Sequence, residues 1–309
     1  MKKLSVFLLF IVFCLLLIAG CQRGEITGGP SVALVMKTLN NPFFIDMEKG
    51  AKEVADSLGV NLISQAAERE VDVEKQMQII ENLIQRKVDA ICVTPSGSRE
   101  IVPAICKANR AGIPVLTIDT RVDKPTLEEA GCRVVTFIGS DNFEGGRIAG
   151  EHIANKLDGR GKVALLEGIP GHETGDSRLS GFQKSVDNVS GIEIVASQTA
   201  NWERDQGFNV FQNILQAHPN VQAVFACNDM MALGAVEAIA AAGKTGKILV
   251  MGFDATTDAR EAIQKGTMIG SVAQNPYEMG RQAVINAVHL INQRTIPEYI
   301  PVKIELVTK

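Results

Sequence analysis

SVALVMKTLNNPFFIDMEKGAKEVADSLG, residues 31–59, decides how the rest of the chain is read. After Ser31 its opening residues form a continuous apolar run. That run is too short for a surface helix and lacks the alternation of a half-buried strand, so it predicts a strand buried on both faces. From Pro42 onward Phe44, Met47, Ala51, Val54, Ala55 and Leu58 fall at helical spacing. Asn41 suits the N-cap, Pro42 the first helical position and Gly59 the stop. A strand-to-helix turn needs little more than a cap. This one also carries Lys37, a second asparagine and two adjacent aromatics, Phe43 and Phe44.

Similar apolar runs recur: VDAICV (88–93), IPVLTI (113–118), VVTFI (134–138), KVALLE (162–167), VQAVFA (221–226) and KILVMG (247–252). Helical segments lie between them, one of them capped by Asp72 with Val73, Met77, Ile80 and Ile84 on a stripe. Strands alternating with helices predict parallel sheets covered on both faces. The pattern runs once to about Ile138 and again from about Asp141, which predicts two similar α/β lobes. A helix from Pro276 to Asn292 can return to the first lobe, followed by a strand-like run, IPVKIELV (300–307), so the chain crosses between lobes several times. A ligand then belongs at the carboxyl ends of the strands, where turns from both lobes converge.

The chain opens with Lys2 and Lys3, an apolar stretch from Leu4 to Ile18, and IAGC (18–21). A short apolar run with a basic start and small residues before a cut predicts an export signal over residues 1–20; an uncleaved membrane anchor is the alternative. The LIAGC ending resembles the bacterial lipoprotein signal, which implies lipidation of Cys21. Several acyl chains there would hold the protein at a membrane, since one alone binds only marginally. Residues 21–30 read as a tether. Without the signal, 29 basic side chains face 35 acidic ones, net −6. That balance argues against nucleic acid. The remaining length exceeds what a single core usually fills. Cys92, Cys106, Cys132 and Cys227 show no close pairing; they read as buried thiols, with one disulfide as the alternative.

The residues following the strands form a distinctive set: Lys37, Asn41, Phe43 and Phe44; Asp119 after VLTI; Arg178 at the start of a helix after a glycine-rich loop; Trp202 before another helix; Asn228 after VFAC; Asp254 after VMGF; Gln274 after GSVA. Aromatic rings can cover the C–H faces of a sugar ring. Carboxylates accept from its hydroxyls, and guanidinium and amide groups donate to its oxygens, with charge roughly doubling each bond. Each residue also has a plainer reading: Phe44 as core, Asn41, Asp119 and Asp254 as helix caps, Arg178 as a surface ion pair, Trp202 as a staple. Asp229 reads as capping and local support. Their shared place at one rim favours selective capture.

KTLNNPFFIDMEKGA (37–51), SQTANWERDQGFNV (197–210), AVFACNDMMALGA (223–235), VMGFDATTDA (250–259) and VAQNPYEMG (272–280) resemble periplasmic sugar-binding proteins of the ribose and D-allose type, over essentially all of residues 31–309. The resemblance implies two Rossmann-like lobes with parallel sheets, joined by three hinge crossings. The N-terminal lobe would comprise 31–139 and 275–301, the C-terminal lobe 140–274 and 302–309. Hinges would fall at Ser140 and Asp141, at Gln274 and Asn275, and near Pro301 to Lys303. It further implies a sugar site of Lys37, Asn41, Phe43, Phe44, Asp119, Arg178, Trp202, Asn228, Asp254 and Gln274, with no cofactor and no metal. The implied partners are a monosaccharide and an ABC permease, in the cell envelope, either the periplasm or the outer face of the cytoplasmic membrane; presentation of a sugar to a chemoreceptor or sensor kinase is the alternative, and a monomer is expected. Thr120 stands where ribose binders have arginine and allose binders glutamate, and Phe44 where allose binders have tryptophan. Lys37 matches the allose pattern.

Other classes fit poorly. The four histidines, His152, His172, His218 and His289, lack ligand spacing. GKTGK (243–247) lacks the leading glycine of a phosphate loop, since Ala238 occupies that position. A transcriptional regulator would place a DNA-binding headpiece where the export signal stands. An enzyme and a regulator are therefore set aside.

Overall fold

A computed structural model describes residues 29–187 and 189–309. The export signal, Cys21 and most of the tether lie outside the described residues. The opening stretch forms strand β1 (Ser31–Met36) and helix α1 (Pro42–Leu58). Val32, Leu34 and Met36 pack into one core cluster, Ala33 and Val35 into another, so β1 is buried on both faces as its continuous apolarity requires. Asn41 Oδ1 accepts the Phe43 amide at the start of α1, and Gly59 ends it in the left-handed conformation at φ 66°.

The first lobe continues with β2 (Asn61–Ala66), α2 (Val73–Gln85), β3 (Ala90–Val93), α3 (Val102–Arg110), β4 (Val115–Ile118), α4 (Lys124–Glu129) and β5 (Thr136–Gly139). The second holds α5 (Asn142–Lys156), β6 (Arg160–Glu167), α6 (Glu173–Val186), β7 (Gly191–Thr199), α7 (Arg204–Ala217), β8 (Ala223–Ala226), α8 (Asp229–Ala241), β9 (Leu249–Asp254), α9 (Thr257–Lys265) and β10 (Gly270–Ala273). Helix α10 (Pro276–Ile291) then packs on α1, and the chain ends in β11 (Tyr299–Pro301) and β12 (Glu305–Val307). The two sheets share one plan, β11-β5-β4-β3-β1-β2 and β12-β10-β9-β8-β6-β7. Every pairing is parallel except β10 with β12.

The chain passes between the sheets after β5, after β10 and between β11 and β12. Asp141 and Asn275 each cap the helix that begins just past a crossing, accepting from Glu144 N and Glu278 N. The C-terminal run read as one strand is therefore two. Ile300 packs on the first lobe's core and Ile304 on the second's, because the chain crosses between the sheets in the segment from Pro301 to Glu305. On α2 the buried residues are Gln76, Ile79, Ile80 and Leu83, with Met77 and Ile84 only half-buried. Gln76 is tolerated inside because it donates to Thr94 O and accepts from Ser96 N. Asp72 makes no cap bond to α2; its carboxylate accepts from Arg69 N. Cys106 and Cys132 form a disulfide, whereas Cys92 and Cys227 are buried thiols.

Candidate functional site

All ten side chains expected at the rim line one small cavity between the lobes, together with Glu70 and Thr174. From the first lobe, Lys37 leaves the end of β1 and is only 2 % exposed. Its Nζ lies 3.2 Å from Asp119 Oδ2 and 4.0 Å from Glu70 Oε2, so a buried cation is balanced within reach. Phe43 and Phe44 meet edge to face at 5.2 Å. Both also belong to the first lobe's core, so Phe43 and Phe44 combine packing with lining of the cavity.

From the second lobe, Arg178 is 3 % exposed and sits in the second turn of α6, not at its start. It is held on three sides: Nε donates to Asn142 Oδ1 at 2.9 Å, Nη1 donates to Cys227 O at 2.6 Å, and the guanidinium carbon lies 3.7 Å from the Phe253 ring centre. A Cβ on Gly146 would come within 1.9 Å of Arg178 O, so only a glycine lets α5 approach α6 closely enough for these bonds. Asp254 Oδ1 accepts from Gln274 Nε2 at 2.8 Å and lies 3.9 Å from Arg178 Nη1.

Backbone geometry marks the same residues. Asp119, Trp202 and Asp254 have φ of 62°, 69° and 113°, a region side-chain-bearing residues seldom occupy. The turn after Asp254 is held by buried Asp229, whose carboxylate accepts from Ser271 Oγ, Thr256 N and Thr256 Oγ1. Two polar atoms of the cavity residues are buried without a partner among the described residues, Trp202 Nε1 and Gln274 Oε1: one donor and one acceptor.

Both asparagines are largely engaged. Asn41 Nδ2 donates to Glu70 Oε1, and Asn228 donates to Trp202 O while its Oδ1 caps α8 at Met231 N. Arg121 turns away and stacks over Phe137 and Tyr299 at 3.8 and 4.7 Å. Burial pushes Glu70 above the ordinary carboxylate range, with Lys37 opposing, and pushes Asp254 well above it, with Arg178 opposing.

The sequence reading missed Glu70. It lies in the charged run AEREVDVE (67–74), which reads as ordinary surface loop. The available signal was its place at the carboxyl end of β2, an edge strand whose mixed polarity hid it.

The lobes are in direct contact around the cavity. Arg69 clasps Glu203 through two bonds of 2.8 and 3.0 Å. His172 Nε2 donates to Pro95 O, Glu173 N to Ser98 Oγ, and Thr174 Oγ1 to Thr120 Oγ1. Burial, with Lys37 and Arg178 nearby, holds the His172 imidazole well below its usual range and so neutral. Among the described residues no cluster of histidine, cysteine and carboxylate could hold a metal ion.

Two α/β lobes that turn the ends of their strands toward one shared polar cavity have the architecture of a solute-binding protein. The sequence profile of the periplasmic binding protein domain matches residues 32–295, and the chain belongs to that family, whose members bind solutes and are not enzymes. It is 38 % identical over 249 residues to the D-allose-binding periplasmic protein of Escherichia coli, covering 80 % of each chain. It is 39 % identical over 279 residues to the ribose import binding protein RbsB of Escherichia coli, covering 90 % of each. An ABC transporter periplasmic solute-binding protein from Actinobacillus succinogenes, solved with bound D-allose, superimposes with a TM-score of 0.86 at 43 % identity, over 91 % of this chain and 98 % of that one.

Proposed function

We propose that this protein captures a monosaccharide of the D-ribose or D-allose kind outside the cytoplasm and delivers it to an ABC importer, held at the membrane by a lipid on Cys21. One observation carries the reading: rings, carboxylates and fixed cations from both lobes face a single small cavity. The relatives above, named for ribose and D-allose, support the ligand class.

The groups divide the work by chemistry. Phe43, Phe44 and Trp202 cover C–H faces and exclude water. Asp119 and Asp254 each engage one oxygen within the protein and keep the other for a ligand hydroxyl. Arg178 and Lys37 donate to ring or hydroxyl oxygens, and Gln274 Oε1 and Trp202 Nε1 gain the partners they lack. Since the groups come from both lobes, the ligand binds the closed form better than the open one and so favours closure. The closed face is then what the importer recognises.

Calorimetry of the lipid-free chain from Gln22 onward, titrated with pentoses, hexoses and inositols, tests this. Binding of at least one pentose or hexose is expected, with closure seen by solution scattering. Heat from none of them would end the proposal.

A further inference from the structure

The loop between β2 and α2 is pinned, since Glu68 O accepts from both Thr38 Oγ1 and Asn40 Nδ2, and Arg69 N donates to Asp72. Within it, neighbouring side chains face opposite ways: Arg69 reaches outward across the cleft, and Glu70, buried, faces the cavity. We propose that Glu70 determines specificity, accepting a hydrogen bond from a ligand hydroxyl through Oε2, and that Asn41 is the positioning residue that aims it. The inference rests on the polyol reading above and adds to it a residue and a discrimination.

Asn41 supplies the first support. Its Oδ1 accepts the Phe43 amide and its Nδ2 donates to Glu70 Oε1, each at 3.1 Å. Flipping the amide would set an oxygen against a carboxylate and N–H groups against an N–H. Asn41 is thereby locked, and through it the start of α1 fixes one oxygen of Glu70. The other, Oε2, has no hydrogen-bond partner among the described residues and has Lys37 Nζ at 4.0 Å, beyond hydrogen-bond reach. A carboxylate oxygen of a cavity-lining residue that no protein donor engages offers itself to a ligand donor, which a hydroxyl provides.

Charge supplies the second. Three carboxylates, Glu70, Asp119 and Asp254, face two cations, Lys37 and Arg178. Each cation already lies beside a carboxyl group, Lys37 3.2 Å from Asp119 and Arg178 3.9 Å from Asp254, so neither is left over for a sugar acid or a phosphorylated sugar, and the site selects neutral cyclic polyols. A deoxy analogue lacking the hydroxyl opposite Glu70 would leave a buried acceptor unpaired, which discriminates far more strongly than a lost apolar contact. The upward shift of the Glu70 carboxyl caused by burial agrees with an oxygen short of partners.

The test titrates the wild type, Glu70→Gln, Asn41→Ala and the double variant with D-ribose, D-allose and their monodeoxy analogues by calorimetry, with melting curves to check folding. The wild type should bind a parent sugar and reject at least one deoxy analogue. Glu70→Gln should bind the parent about 10-fold or more weakly and lose discrimination against that one analogue. Asn41→Ala should weaken binding alone but add little to Glu70→Gln. Unchanged affinity and ranking in Glu70→Gln overturns the assignment while leaving the functional reading intact; a wild type that binds no sugar in the series removes both. Should Glu70→Gln fail to fold, Glu70→Asp, which keeps the charge but withdraws it by one methylene, is measured by the same ranking.

Discussion

Arg178 is the side chain on which the second lobe's half of the cavity turns. Its guanidinium donates twice to the protein, through Nε and Nη1, and lies beside Asp254, so it is held in place before a ligand arrives and little further entropy is lost on binding. Arg178→Ala should lose roughly 1.5–3 kcal/mol of sugar binding, the range for bonds to a charged group; calorimetric affinity within twofold of wild type would remove it from the site. Asp229 makes a different prediction. Burial pushes its carboxyl from 3.8 up to about 6, against the bonds from Ser271 and Thr256. The folded chain therefore keeps a proton that the unfolded chain releases. Its contribution to stability is largest below the unfolded value and declines as pH rises through the folded one, by roughly 3 kcal/mol. Asp229→Asn should flatten that decline in urea-unfolding free energies measured from acid to neutral pH. An unaltered slope would refute the assignment. Most of the cavity could be read from the chain, because strand-end residues of an α/β fold converge by topology alone. What could not be read was division of labour: Asn41 and Asn228 carry the right groups for a sugar, yet their bonds run to Glu70 and Trp202.

At the level of elements, the disulfide joins α3 to the segment after α4, closing a loop with a sequence separation of 26. Loop-closure entropy then predicts that the Cys106→Ser, Cys132→Ser pair lowers unfolding free energy by roughly 3–4 kcal/mol. Sugar affinity should stay constant, since neither cysteine lines the cavity. A double variant as stable as wild type in denaturant titration would show that the bridge constrains little. Spacing gave no hint of this pair, for the partners stand 26 positions apart and only the packing of α3 against the sheet brings them together. Central strands were legible because burial on both faces leaves unbroken apolar runs such as AICV and AVFA. Edge strands β2 and β7 were not, because half-burial admits Asn61, Ser64, Glu193 and Ser197 and breaks the pattern. Missing β2 also hid Glu70, so an error at the scale of an element became one in the site. The final strands were merged for a related reason: Val302 and Ile304 continue an apolar alternation straight through the crossing.

For the molecule as a whole, the proposed function depends on a balance between open and closed lobes, which the contacts around the cavity would bias. Arg69 and Glu203 are the one bidentate ion pair across the cleft among the described residues, and Glu203 sits at the N-terminus of α7, where negative charge is favoured. Gln206 also donates to Glu203 and steadies it. The pair is solvent-accessible, so its attraction is screened by salt: the Debye length shrinks from about 30 Å at 0.01 M to about 3 Å at 1 M. A ligand must supply whatever bias toward closure the protein lacks, so weakening the pair reduces apparent affinity without touching the cavity. High salt should therefore enlarge the ligand-free protein's radius of gyration in small-angle scattering and weaken sugar binding. Glu203→Gln should be larger and weaker-binding already at low salt, and should respond less to added salt. The cavity's own charges are buried and screened far less, so they do not mimic this signature. If wild type and Glu203→Gln show the same salt response, closure is governed by the neutral contacts of His172 and Thr174 instead, and the ion pair only decorates a balance set elsewhere.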